Sequence, residues 1–346
     1  MNVTRVIHTV DSHTAGEGTR LVVGGLPPIR GETMAEKLAY AETHLGWLPG
    51  YLLLEPRGHK DLVGALLTEP CDPRADLGLI FMDNHGYEPM CGHAVIGMAV
   101  TALETGLVEC SEPETWLTLD TAAGPVRVCA QVQGGGVTTV SFDNVPSFVY
   151  RQNVPLTVQG LGDLTVDVVY GGLFFVFVAA HQVGVPLLPE NAGRLAEIGM
   201  AILGAANWQI PVQHPDQPHL NRIFDVRLYE EPGGPGADSR NVVILGDHMV
   251  DRSPCGTGTS AEAAWRHHQG RLPVGESFVT ESLIGTRFTC EMVSETTVGS
   301  GSSALKAIIP RVTGSATLTG FHQFVCDPRD PFPTGFNLGW GQRPLG

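Results

Sequence analysis

Two short segments of this chain match one another, and together they constrain everything else. Cys91-Gly92-His93 opens the helical pattern AVIGMAVTALETG, and Cys255-Gly256-Thr257 opens GTSAEAAWRHHQG. In each, a cysteine stands at the start of a helix, a glycine follows it, and the helix runs into a further glycine, Gly106 or Gly270, a common stop. The two cysteines are separated by about half of the chain's 346 residues, more than one compact core usually holds. The repeat therefore predicts two similar domains, each with one cysteine-headed helix. The expected division is 1–145 with 308–346 for the first and 146–307 for the second, the polar stretch Asn144–Asn153 marking the boundary and the C-terminus returning to the first domain.

Forty-three glycines and 25 prolines cut the rest into short elements. Apolar or alternating runs that read as strands include Arg20–Val23, Tyr51–Leu54, Val126–Ala130, Leu173–Val178 and Arg222–Leu228. Helical patterns are fewer: Met34–Thr43, Gly92–Glu104, Asn191–Ala205 and Thr257–His268. Strands outnumber helices without a regular βαβ alternation, so the predicted class is α+β rather than a doubly wound sheet.

Charge and composition exclude several functions. Acidic residues number 36 against 21 basic ones, a net charge of −15 that repels phosphate backbones and anionic membranes, so neither nucleic acid nor a membrane is an expected partner. Lysine occurs only at Lys37, Lys60 and Lys306, which weakens any chemistry built on a Schiff base with pyridoxal phosphate. The most apolar run, Gly171–Ala180, is too short to cross a bilayer and reads as a buried strand. No secretory signal is read in the first twenty residues, and seven scattered cysteines do not form a disulfide framework; a cytoplasmic location is expected. No zinc-type spacing occurs, and His214, His219, His267 and His268 read as surface residues rather than metal ligands. GTGTSA (Gly256–Ala261) has the letters of a dinucleotide fingerprint but does not follow its strand at once, and GSGSSA (Gly299–Ala304) lacks a helix after it. Asp11-Ser12-His13 holds the residue types of a triad, but neighbours in an extended segment point opposite ways; it reads as a loop.

A cysteine at a helix N-terminus meets the positive end of the helix dipole, which favours thiolate. The N–H groups beside it form an anion site suited to a carboxylate. A lone cysteine there is most often a small buried hydrophobe. Two in matching contexts, Cys91 and Cys255, point instead to chemistry: a thiolate and a thiol on opposite faces of one small anion can remove a proton from one face and return one to the other. A redox pair is the alternative, but nothing in the sequence brings the two sulfurs within bonding distance.

Four segments carry a resemblance: DSHTAGEGTR (Asp11–Arg20), EPRGH (Glu55–His59), MCGH (Met90–His93) and DRSPCGTGTSA (Asp251–Ala261), with weaker support from Gly171–Phe175 and Gly314–Phe332. They resemble the proline racemase family, over about residues 5 to 335. The resemblance implies a diaminopimelate-epimerase-like fold, strands wrapped around a central helix in each of two domains, with the active site in the cleft between them. It implies Cys91 and Cys255 as alternating acid and base, and Gly92, His93, Gly256 and Thr257 as carboxylate-binding positions. It further implies Asp251 as the partner of the substrate's ring ammonium. His13 and His59 would help line the cleft, and Arg252 and Ser253 would shape the loop before the second helix. No cofactor is implied, and a homodimer is. Members that dehydrate trans-3-hydroxyproline typically carry threonine in place of the second cysteine, so Cys255 favours racemisation or epimerisation of proline or a hydroxyproline. Val63, where proline racemases often place a bulkier aromatic, would suit 4-hydroxyproline, whereas RGH and GGLFF are closer to the proline and 3-hydroxyproline branches. Gly18 stands where the family usually has proline. The competing readings are a lyase using Cys91 alone and a non-catalytic imino-acid or thiol sensor.

Overall fold

A computed structural model describes residues 3–301 and 304–338. The chain divides into two compact units, one of residues 1–142 with 314–346 and the other of residues 143–313. The first unit contains β1 (Arg5–Thr14), β2 (Glu17–Gly24), α1 (Met34–His44), α2 (Leu48–Leu53), β3 (Val63–Thr68) and β4 (Leu77–Asp83). It continues with β5 (Gly86–Glu88), α3 (Gly92–Glu104), β6 (Glu114–Thr121), β7 (Gly124–Gln133) and β8 (Gly136–Asp143). The second unit opens with β9 (Phe148–Val158), β10 (Gly162–Tyr170), β11 (Phe174–Ala179), α4 (Ala192–Gln209) and β12 (Ile223–Glu230). It ends with β13 (Ser239–Leu245), β14 (Met249–Val250), α5 (Gly256–His268), β15 (Ser277–Glu281), β16 (Arg287–Val298) and β17 (Leu305–Gly314). The last strand, β18 (Ala316–Cys326), belongs to the first unit.

Strand pairing follows one scheme in both units. In the first the order is β18-β1-β2-β3-β4-β6-β7-β8, with β2–β3 and β4–β6 parallel and the other neighbours antiparallel. In the second it is β9-β10-β11-β12-β13-β15-β16-β17, and the parallel pairs, β11–β12 and β13–β15, fall at the same two places. The short strands β5 and β14 pair with β4 and β13, and each leads into a cysteine-headed helix. The units are topological copies of an α+β arrangement. They differ in chain path: β9 heads the second unit's order in sequence, whereas the first unit takes its leading strand, β18, from the chain end.

Sequence explains where the helices sit. From Gly92 to Leu103 every residue of α3 is buried, and all but His93 and Thr101 are apolar or glycine. A helix apolar all round must be surrounded, and α3 packs on β1, β18, β2 and β3. Gly97 permits the approach: a Cβ there would lie 2.6 Å from Thr19 Oγ1 and 2.8 Å from Thr14 Oγ1. α5 is as deeply buried from Gly256 to Arg266, against β9, β10 and β16, yet it carries Glu262 and Arg266 inside. Gly106 and Gly270, just past the two helices, both have positive φ.

Some sequence expectations fail. Tyr51–Leu54 is not a strand, because Tyr51–Leu53 lie in α2, which starts with Pro49 in its first turn; a short buried apolar run has no periodicity to separate the two states. Asp11-Ser12-His13 is not a loop but the middle of β1, with a register shift between Asp11 and Ser12. The polar stretch Asn144–Asn153 begins just after the division between the units at 142 and 143 and continues into β9, whose outer positions are solvated. In the GSGSSA segment, Ser302 and Ser303 lie outside the described residues. Among those described, no helix is long and apolar enough to cross a membrane.

Candidate active site

The two cysteine-headed helices start differently. Cys91 caps α3 in an extended conformation, φ −142° and ψ 116°, and its carbonyl accepts from the Val95 N–H at 3.0 Å. Its Sγ lies 3.8 Å from each ring nitrogen of His93, which is buried in the first turn. Gly92 and His93 occupy the turn whose N–H groups have no partner within a helix.

Cys255 caps α5 in the left-handed region, at φ 66°. A non-glycine residue held there costs about 1–3 kcal/mol, so its surroundings must fix it. They do so through a relay: the Asp251 N–H donates to Val243 O (3.0 Å), the Ser253 N–H to Asp251 Oδ1 (2.8 Å), and the Cys255 N–H to Ser253 Oγ (3.1 Å). The Gly258 N–H then donates to Cys255 Sγ at 3.3 Å, and the Thr257 hydroxyl lies 3.5 Å from the sulfur. Arg252 secures the loop's other side, donating to Val250 O at 2.8 Å. Burial pushes the Cys255 thiol well above the usual thiol range, and the Asp251 and Asp225 carboxylates push it further; Thr257 and the Gly258 N–H act in the opposite direction. Burial and the two carboxylates thus favour the protonated thiol over the thiolate.

The sequence-predicted residues thus fall into two groups. Asp251, Cys255, Gly256 and Thr257 are brought together at the start of α5, and Cys91, Gly92 and His93 at the start of α3. His13 lies in β1, its Nδ1 accepting from the Gly16 N–H at 3.2 Å, which ties the β1–β2 turn. The His59 ring lies 4.0 Å from the Asp61 carboxylate, with half of its side chain exposed. Gly18 lies in β2, where a Cβ would meet Leu62 Cδ1 at 2.7 Å and His59 Nε2 at 3.9 Å; Leu62 fills the space a side chain would take. Val63 is buried at the start of β3.

His214 is not a surface residue. It is 4% exposed against Phe148 and Tyr170. Sequence reasoning also missed Asp225 and Arg227 of β12 and Glu262 of α5, all buried around the Cys255 turn. The available signal was the run Phe224-Asp225-Val226-Arg227-Leu228, where charges two apart share one face of an otherwise apolar strand. Among the described residues, no three His, Cys, Asp or Glu side chains gather as they would around a metal ion.

The family model described as proline racemase matches residues 9–337. A proline racemase of Clostridioides difficile is 46% identical over 338 residues, covering 98% of this chain and 100% of that protein. A trans-3-hydroxy-L-proline dehydratase of Bacillus thuringiensis subsp. konkukian is 40% identical over 339 residues, again covering 98% and 100%. Among solved structures, a hydroxyproline epimerase from Agrobacterium vitis with bound trans-4-hydroxy-L-proline matches with a TM-score of 0.88 at 36% identity, covering 98% of this chain and 97% of that one.

Proposed function

The chain belongs to the proline racemase family and is an isomerase of that type, and we propose that it inverts the α-carbon of proline or a hydroxyproline with its own two thiols and no cofactor. The observation that carries the reading is a pair of dissimilar cysteines at equivalent places in duplicated units, each heading a buried helix. In one direction the Cys91 thiolate takes the α-proton, the C–H bond breaks, and the Cys255 thiol donates its proton to the opposite face of the carbanion. In the other direction the roles exchange. The substrate carboxylate binds the N–H groups of Gly92, His93, Gly256 and Thr257, and the two helix dipoles stabilise the charge that develops beside it. Asp251 binds the ring ammonium. That cation also offsets one of the carboxylates that hold the Cys255 proton, easing its release once substrate is bound.

Dehydration of trans-3-hydroxy-L-proline by Cys91 alone is the second reading, favoured by the dehydratase relative. A cysteine at 255, which supplies the second proton donor, supports inversion instead. We further propose a cytoplasmic homodimer. Its support is a set of seven cysteines with no disulfide among them, and Phe321 and Val325 exposed on one face of β18.

Proton NMR in D₂O with L-proline, trans-4-hydroxy-L-proline and trans-3-hydroxy-L-proline, each alone, tests the reading. Loss of the α-proton signal with growth of the D-isomer or the cis epimer is expected, and the fastest substrate defines the enzyme. Conversion of the 3-hydroxy compound alone to a pyrroline carboxylate would make it a lyase. No exchange with any of the three would overturn the proposal.

A further inference from the structure

The two units solve one packing problem in opposite ways. In the first, the fourth strand in the order, β3, reads Val63-Gly64-Ala65-Leu66, and α3 is apolar apart from His93 and Thr101. In the second, the equivalent strand β12 carries Asp225 and Arg227, and α5 carries Glu262 and Arg266. Arg227 is 0% exposed, its guanidinium 5.5 Å from the Phe177 ring. It ion-pairs with Glu262, donates to Thr280 Oγ1 at 3.0 Å and reaches Pro254 O at 3.4 Å. Beyond it the charges alternate outward: Arg266 Nε donates to Glu262 at 2.9 Å and its Nη2 to Glu231 at 2.5 Å. A buried ion pair is seldom more stabilising than a well-packed apolar substitute. The first unit packs its central helix in the same topology with no charged residue from Gly92 to Leu103, so packing of the helix does not account for the charges at α5.

Their placement does. Pro254, whose carbonyl Arg227 engages, precedes Cys255, the residue forced into the left-handed region. Arg227 Nη1 and Cys255 Sγ both lie against the point where a side chain on Gly258 would begin, at 3.1 and 3.2 Å from it. We propose that Arg227 is a positioning residue for Cys255: it fixes the turn that aims the sulfur, and, balanced by Glu262, its charge sets how readily that sulfur ionises. The charged groups near the thiol are the Asp251 and Asp225 carboxylates and the Arg227 guanidinium, which is backed by Glu262 and Arg266. Arg227 touches no substrate in this scheme. The inference rests on the functional reading only in giving the sulfur a use.

The test is the pH dependence of iodoacetamide alkylation at Cys255 and Cys91, resolved by peptide mass spectrometry on the full-length chain. Arg227→Gln removes the positive charge and is expected to raise the Cys255 midpoint. Glu262→Gln leaves that charge unbalanced and is expected to lower it. Each change amounts to about a tenfold difference in rate at fixed pH below the midpoint, in opposite directions, with Cys91 unmoved. Arg227→Lys keeps the charge and is expected to restore most of the wild-type profile. A purely structural role would move both variants the same way or not at all, and either result overturns the proposal. Should Arg227→Gln fail to fold, the direction of the Glu262→Gln shift decides alone. A protein with opposite shifts but no α-proton exchange on imino acids would overturn the function and leave Arg227's assignment standing; active inversion with a Cys255 profile indifferent to both variants would do the reverse.

Discussion

Cys91 and Cys255 differ in what surrounds their sulfurs, and that difference bears directly on their use. Serine in either place keeps the size but replaces a thiol by an alcohol that is far harder to ionise. Loss of a positioned acid or base typically costs about 10²–10⁴ in rate. Cys91→Ser and Cys255→Ser are each expected to lower inversion, followed by polarimetry, by about that factor; near-wild-type rates in both would refute the two-thiol assignment. His214 gives a prediction about pH. Its Nδ1 accepts from the N–H groups of Asp216 and Gln217, both at 3.2 Å, which requires that nitrogen to be unprotonated. Burial pulls the imidazole below its ordinary value of 6.5, with Asp216 opposing the change and His219 adding to it. The unfolded chain therefore binds this proton more readily than the folded one. The contribution to stability is intact above about pH 6.5 and is lost as pH falls below it. Thermal melts between pH 7.5 and pH 5.5, as approximate endpoints around the histidine range, should show a midpoint that drops on acidification, with a shallower slope in His214→Gln. The cysteines were legible because a helix start is written in adjacent residues. The pairing of Arg227 was not, because its partner Glu262 lies 35 positions away.

At the scale of elements, α3 was read from sequence with the bounds it has, Gly92–Glu104, since an apolar helix entered from Cys-Gly and closed by glycine has few other readings. The β1–β2 hairpin was only half read. Its turn, Ala15-Gly16, has positive φ at both residues, the geometry that suits tight hairpins, but alanine gives no sign of this. Across the hairpin Asp11 pairs in register with Arg20, whose Nη2 reaches its carboxylate at 2.7 Å, so the aspartate of Asp11-Ser12-His13 is one half of a buried ion pair. The seam between this hairpin and α3 has no spare volume. Replacing Gly97 by alanine would gain up to about 1 kcal/mol of helix propensity. The same methyl would enter the hydroxyls of Thr14 and Thr19 at 2.8 and 2.6 Å, and overpacking of that kind costs about 1–3 kcal/mol. The steric term wins, so Gly97→Ala is expected to lower the denaturant midpoint without changing the slope; a midpoint above wild type would show that the seam yields.

For the whole chain, the sequence reading has the C-terminus return to the first domain, but the repeat of two cysteines does not show how that return completes a sheet. The second unit takes its leading strand, β9, from its own sequence, whereas the first waits for β18 at the far end of the chain. No local pattern reveals the pairing itself, because β18 meets β1 across almost the full length of the polypeptide. The C-terminal stretch is tied to the first unit at several points. The Tyr51 hydroxyl donates to Val325 O at 2.8 Å, Arg57 donates to Asp330 at 2.7 Å and to Phe332 O at 2.6 Å, and the Arg20 guanidinium lies 4.4 Å from the Phe324 ring. Removing it would leave β1 paired with β2 alone and expose one side of α3, a helix with almost no polar surface to offer water. A chain ending at Thr313 should therefore lose amide-exchange protection throughout β1, β2 and α3 while keeping it in β9 to β16, whose sheet order needs nothing from beyond that point. Inversion should be lost with it, because Cys91 depends on α3. Wild-type protection in α3 of the shortened chain would show that the first unit closes without its returning strand.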